Sequence, residues 1–241
     1  MFQNTLLMKY LIKHKFLIFF IIFSIVSYLV IFFANRSLSV KNIEVISDRK
    51  FLLANQSSLI NRSLIFVNRE EISNKIIQEN FLLKEALVEI VWPSTLKVTV
   101  SFYNPIASLI VNQGYFNLSS DGRILSKIKN ISPSLPTINY YQKLNNSSFQ
   151  SGEWIEYKDI KQALFFIDKL KQLNLTPLTI DIKGQDMLLF KLADDRLIIF
   201  SNEKDKETQL YELELIIRQF KIEGKEFKKI DLRFNKPVIG F

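Results

Sequence analysis

The chain has 241 residues, no cysteine, one histidine and a formal charge of +8. The missing thiols exclude a disulfide framework and any thiolate metal site. With His14 as the only imidazole, a Ser-His-Asp triad or a histidine-ligated metal centre cannot be assembled farther down the chain.

The charge is spread thinly. Lys9, Lys13 and Lys15 form one cluster, and Lys225, Lys228 and Lys229 form the densest later one, interleaved with Glu223, Glu226 and Asp231. That is a solvated face, not the concentrated basic surface interleaved with exposed aromatics that nucleic acid requires. The run Phe16 to Ala34 carries no charge and as a helix reaches roughly 28 Å, close to the thickness of a bilayer's hydrocarbon core. A cleaved leader would end in small residues, whereas this run exits through Val30-Ile31-Phe32-Phe33-Ala34, so an uncleaved anchor is expected. The three flanking lysines put the short tail, residues 1–15, in the cytoplasm and everything beyond Ala34 outside it.

Behind the anchor, Ile43 and Val45 alternate with Asn42 and Glu44, which predicts a strand over Val40 to Ile46. A short helix is expected from Phe51 to Ile60 and an extended link over Leu64 to Val67. A second helix should begin after Asn68, with Asn68 as cap, Glu71 three residues on, and Val67 and Ile72 as a hydrophobic staple. A hairpin follows. Ala86, Val88 and Ile90 share one face before the Trp92-Pro93-Ser94-Thr95 turn, and Leu96, Val98 and Val100 share one after it. The order is β-α-α-β-β, two helices covering one face of a small sheet.

The chain divides near Tyr103 to Pro105. Strands are expected at Ile106 to Asn112, Tyr115 to Leu118 and Arg123 to Ser126, with a turn at Ser120-Asp121-Gly122. Pro133, Pro136 and the polar run Leu144 to Gly152 read as a loop region. A helical stripe spans Asp159 to Leu173, followed by strands at Leu178 to Lys183, Met187 to Leu192 and Arg196 to Phe200. A last helix covers Asp205 to Lys221. The chain closes with Phe227 to Phe234, where Ile230, Leu232 and Phe234 alternate with Lys229, Asp231 and Arg233. As the last regular strand it has no successor to pair with, so it is a candidate free sheet edge.

No Gly-rich phosphate loop appears. The remaining carboxylate pairs, Asp194-Asp195 and Glu203 with Asp205, sit where such groups usually satisfy local backbone. Neither an enzyme nor a cofactor or small-molecule substrate is indicated.

Several motifs in order carry a resemblance: Val91-Trp92-Pro93-Ser94-Thr95-Leu96, Asn104-Pro105-Ile106-Ala107, Asp121-Gly122-Arg123-Ile124-Leu125, Leu135-Pro136-Thr137-Ile138 and Ile230-Asp231-Leu232-Arg233-Phe234. With the anchor, they make nearly the whole chain resemble the FtsQ/DivIB family of bacterial cell-division proteins. Ser47-Asp48 stands where that family often has Gly-Asn, and Phe102-Tyr103 near its usual Glu-Arg. The resemblance implies an α+β chain: transmembrane helix 16–34, a β-α-α-β-β POTRA domain over 38–103, and a β-rich domain with two helices on its sheet over 104–241. It implies a non-enzymatic scaffold of the divisome in the cell membrane, at the septum, which binds FtsB/DivIC-type and FtsL-type coiled-coil proteins and so links and regulates septal wall synthesis. It maps partner binding onto Ile230, Asp231, Leu232, Arg233 and Phe234 and the preceding helix; the alternation of the strand adds Lys229 and puts Lys229, Asp231 and Arg233 on an outward face that would choose the partner. The alternative is a POTRA-containing component of protein secretion or outer-membrane biogenesis.

Overall fold

The computed structural model describes residues 19, 21–28, 32, 37–54, 56–184 and 186–241. The expected cytoplasmic tail and much of the expected span 16–34 lie outside the described residues. Those that are described within the span are helical, with Phe19, Ile22, Phe23 and Tyr28 more than half exposed. Among the described residues no helix is long and apolar enough to cross a membrane. The chain is α+β, with two sheets, and folds as two compact units, Met1–Phe102 and Tyr103–Phe241.

In the first unit, β1 (Asn42–Ser47), β2 (Leu83–Val91) and β3 (Thr95–Phe102) form a sheet of order β1-β3-β2. The hairpin pairs Val88 with Val98 and Ala86 with Val100, while β1 runs parallel to β3 with Val45 opposite Val98. The period-two reading of the hairpin holds: Leu96, Val98, Val100, Ala86 and Val88 are buried, and Ile43, Val45 and Ile90 pack against them. The Trp92-Pro93 peptide is cis. One helix, α1 (Arg69–Glu79), covers the sheet through Ile72 and Ile76. Its cap is as read, Asn68 Oδ1 accepting from the Glu71 N–H at 3.2 Å.

The expected helix over Phe51 to Ile60 does not form. In its place is an irregular segment with one 3-10 turn, Gln56–Ser58. Leu53 and Leu59 reach the core while Leu52 is 95% exposed. Gln56, Ser57 and Ser58 interrupt any apolar stripe, and short polar side chains of this kind compete for backbone groups. Its end is tied down instead by the chain that follows, Val40 N–H donating to Arg62 O and Asn61 N–H to Val40 O. The β-α-α-β-β order is therefore corrected to one α-helix. Leu64–Phe66, expected to be extended, is also a 3-10 turn.

In the second unit, nine strands form one mixed sheet. In chain order they are β4 (Ala107–Val111), β5 (Gly114–Leu118), β6 (Ile124–Ile128), β7 (Thr137–Tyr140), β8 (Pro177–Ile182), β9 (Leu188–Leu192), β10 (Leu197–Phe200), β11 (Lys229–Asp231) and β12 (Val238–Gly240). Their spatial order is β12-β11-β10-β9-β8-β7-β4-β5-β6. Two helices serve as crossovers between parallel strands: α2 (Lys158–Gln172) joins β7 to β8, and α3 (Lys206–Glu223) joins β10 to β11. Ile160, Leu164, Ile167 and Leu170 of α2 and Leu213 and Ile217 of α3 enter the same core as the strands. Phe166 stacks on Phe200 with ring centroids 3.7 Å apart.

The Asp-Gly-Arg turn is a structural node. Asp121 accepts from Ser119 Oγ and from Trp154 Nε1, while Arg123 donates to Gly152 O at 3.0 Å and lies over the Trp154 ring at 4.3 Å. Burial pushes the Asp121 carboxyl up, but hydrogen bonds from Ser119, Trp154 and Tyr103 outweigh it and hold the pKa below the usual carboxylate value.

Candidate functional site

The residues singled out near the C-terminus occupy β11 and the turn after it. Lys229, Ile230 and Asp231 form β11, parallel to β10, with Ile230 opposite Ile198. Leu232 follows, its N–H donating to Ile199 O at 2.8 Å, and Arg233 and Phe234 begin the turn into β12.

Two expectations are corrected here. The segment Phe227 to Phe234 is not the sheet edge. The short strand β12 pairs antiparallel with β11, Ile239 opposite Ile230, and is itself the edge. Nor does Asp231 face outward: it is 3% exposed, beside fully buried Ile230 and Leu232. A charge on a buried position needs a partner, and Arg233 supplies it, donating from Nε to Asp231 Oδ1 at 2.9 Å and from Nη2 to Oδ2 at 2.8 Å. Burial raises the Asp231 pKa, but the Arg233 hydrogen bonds and charge, with Lys229 3.9 Å away, bring it below the ordinary carboxylate value. The same pairing raises Arg233 above its usual value.

Of the six residues, Ile230, Asp231 and Leu232 are therefore interior. Lys229 and Phe234 reach solvent, and Arg233 is spent on Asp231 with its side chain 28% exposed. The sequence reading included the preceding helix without naming its residues, and it missed β12. Val238 and Phe241 flank the edge and are exposed, and so are Tyr211, Leu215 and Ile222. At 100° per residue these three and Arg218 line one stripe of α3, opposite the stripe of Leu210, Leu213 and Ile217 that enters the core. Helix α3 thus carries apolar residues on both sides. The spacing of Tyr211, Leu215 and Ile222 was the available signal; β12, at three residues, is too short to show a period.

Lys204 joins the pieces. Its ammonium donates to Glu212 Oε2 on α3 at 2.6 Å, to Phe234 O at 3.2 Å and to Leu232 O at 3.4 Å. One half-buried cation holds the β11–β12 turn against the helix. Gln209 adds a second tie, accepting from Ser201 N–H at 2.7 Å and donating to Ser201 O and Lys204 O.

Of the two carboxylate pairs, every member but Glu203 is engaged locally. Asp194 binds Arg196, Asp195 binds Lys191, and Asp205 caps α3 by accepting from the Thr208 N–H at 2.8 Å. The Asp194 pKa is lowered chiefly by the Arg196 hydrogen bond, and that of Asp205 by the Thr208 backbone.

No protein-family model matches the chain, and no curated protein matches it.

Proposed function

We propose that this protein is a non-enzymatic, single-pass scaffold of the bacterial division machinery. In this reading the first unit is a POTRA domain, the second an FtsQ/DivIB-type β domain, and the C-terminal edge binds an FtsB/DivIC-type coiled-coil protein with its FtsL-type companion. The exposed apolar residues along the N-terminal helix support the membrane anchor, and the motif order supports the family.

The observation that carries the reading is the edge strand β12, bordered by exposed Val238 and Phe241, in a unit whose helix α3 also carries an exposed apolar stripe. An edge strand offers unpaired N–H and C=O groups to an incoming strand, and an apolar helical stripe offers anchors to an incoming helix. A partner leaving a coiled coil as a helix and ending as a strand could use both. Side-chain choice then passes from the residues first singled out to Tyr211, Leu215, Val238 and Phe241, with Lys229 retained.

The test is capture of an FtsB/DivIC-type partner by the purified protein. Tyr211→Asp, Leu215→Asp and Phe241→Asp alter exposed positions away from Asp231 and should leave the fold intact by circular dichroism. Each should weaken capture, since desolvated anchors dominate interface energetics at about 2 kcal/mol or more each. Undiminished capture by all three folded variants refutes this edge as the interface.

A further inference from the structure

A second surface of this unit has no part in that reading. Between the first turns of α2 and α3 lies an open cleft of about 490 Å³, lined by Lys158, Lys161 and Gln162 of α2, Lys206 of α3, and the connecting residues Asn202 to Asp205. Its size falls within the range of small-ligand sites. Asn202 lines the cleft at 6% exposure, and neither its Oδ1 nor its Nδ2 has a hydrogen-bond partner. Buried polar atoms are rarely left so, and such exceptions mark ligand sites among other things.

The charges around it are unevenly committed. Lys161 is paired with Glu156 and Lys204 with Glu212, while Asp205 is consumed in capping α3. Lys158 and Lys206 enter no ion pair among the described residues, though Lys206 lies 4.4 Å from the Phe165 ring centre. Tyr157, at the N-cap of α2, makes no side-chain capping hydrogen bond; Asp159 accepts from the Ile160 N–H at 3.0 Å, and the other first-turn N–H groups are left to a ligand. Together these groups favour an anion.

Acceptors stand beside the donors. Glu203 lines the same cleft and enters no ion pair among the described residues, and Asn202 offers Oδ1 as well as Nδ2. A bare anion would satisfy only the donors. We propose that this cleft binds an anionic sugar, phosphorylated or carboxylated. Its acidic group is held by Lys158, Lys206, Asn202 Nδ2 and the start of α2, and its hydroxyls donate to Glu203 and Asn202 Oδ1. Lys204 lines the cleft and also ties the β11–β12 turn, but none of the groups proposed to hold the ligand belongs to the β12 edge, so failure of one reading leaves the other standing.

The test is calorimetric titration of the full-length chain in neutral detergent with glucose 6-phosphate, glucuronate, inorganic phosphate and glucose. At least one anionic sugar should bind, more weakly as salt rises, and glucose should not. Asn202→Ala and the double variant Lys158→Ala/Lys206→Ala should each weaken that binding by about tenfold or more. Asn202→Ala removes a buried amide that has no partner, so its melting curve should stay at or above that of the wild type. Absence of binding by both anionic sugars at about 10 mM, or binding that survives both variants, overturns the site. Inorganic phosphate binding as tightly as the sugar phosphate overturns the sugar and leaves a simple anion site.

Discussion

Replacing Arg233 by alanine should cost the second unit about 2–3 kcal/mol. The guanidinium makes two hydrogen bonds to Asp231, whose side chain is 4% exposed. Stripping one member from a fully buried pair costs about 3–5 kcal/mol, because the remaining charge has neither water nor a counter-ion. Two features reduce that here: the Arg233 side chain is 28% exposed, so the lost attraction is partly screened, and Lys229 stands 3.9 Å from the same carboxylate. Arg233→Glu should cost more, since it sets a second carboxylate beside the first. For a unit of this size the alanine change corresponds to a fall of roughly 5–15 °C in Tm. The assay is thermal unfolding of residues 38–241, a fragment that keeps both hydrophobic cores whole. Asp231→Ala/Arg233→Ala should melt above Arg233→Ala, because it removes the orphaned charge as well. The sign with pH is fixed: a carboxylate held below its unfolded pKa contributes stability above the unfolded value and loses it as pH falls through the folded value. The wild-type loss of this contribution should therefore lie below about pH 4; in Arg233→Ala, where burial without its partner raises the carboxyl, the deficit against wild type should instead shrink as pH falls and Asp231 protonates. Wild-type melting by both Arg233 variants would refute the buried pair.

Val98→Asp places a carboxylate at a fully buried position between two strands and should cost several kcal/mol, enough to unfold a small unit with about 5 kcal/mol in hand; urea titration reads it. Gly122→Ala meets φ +89° and puts a Cβ 3.1 Å from Ile155 O, whereas Gly224→Ala meets φ +63° with nothing within 4 Å. Both should lose about 1–2 kcal/mol for the left-handed backbone, and Gly122→Ala more, the excess measuring the contact. Protease added outside spheroplasts should digest the chain beyond Ala34 and protect the tail; recovery of a mature protein beginning near Asn35 would refute the anchor.

Local patterns were the legible part. The Trp-Pro hairpin, the α2 stripe and the Asn68 cap each rest on neighbours within a few residues, where side-chain period and hydrogen-bond reach act directly. What escaped was short or non-local. Strand β7 has four residues behind Pro136 and exists because β4 and β8 flank it in parallel, a pairing no local period encodes. Asp231 read as outward because a charge in an alternating strand normally is. Residues two apart in extended chain share a face, so Arg233 was already placed to neutralise it, and with that partner the position can be buried. At the site, exposed residues were legible as charge and illegible as apolar surface: α3 has a stripe on each side, and a search for one stripe finds only that facing the core.

The correction at the edge strengthens the physical case for docking there. Ile230 and Leu232 belong to the core and cannot read a partner, but they fix where the next strand lies. The Asp231–Arg233 pair closes the end of β11, Lys204 draws the carbonyls of Leu232 and Phe234 toward Glu212 on α3, and β12 returns along β11. Helix and edge strand are thereby held at one spacing before any partner arrives. Ordering these groups only on binding would cost about 0.5–1.5 kcal/mol per side chain; tying them beforehand to Lys204 moves that cost into folding. Under the proposed reading the recognition surface is the exposed apolar residues around the edge, and the motif Ile230-Asp231-Leu232-Arg233-Phe234 is its support.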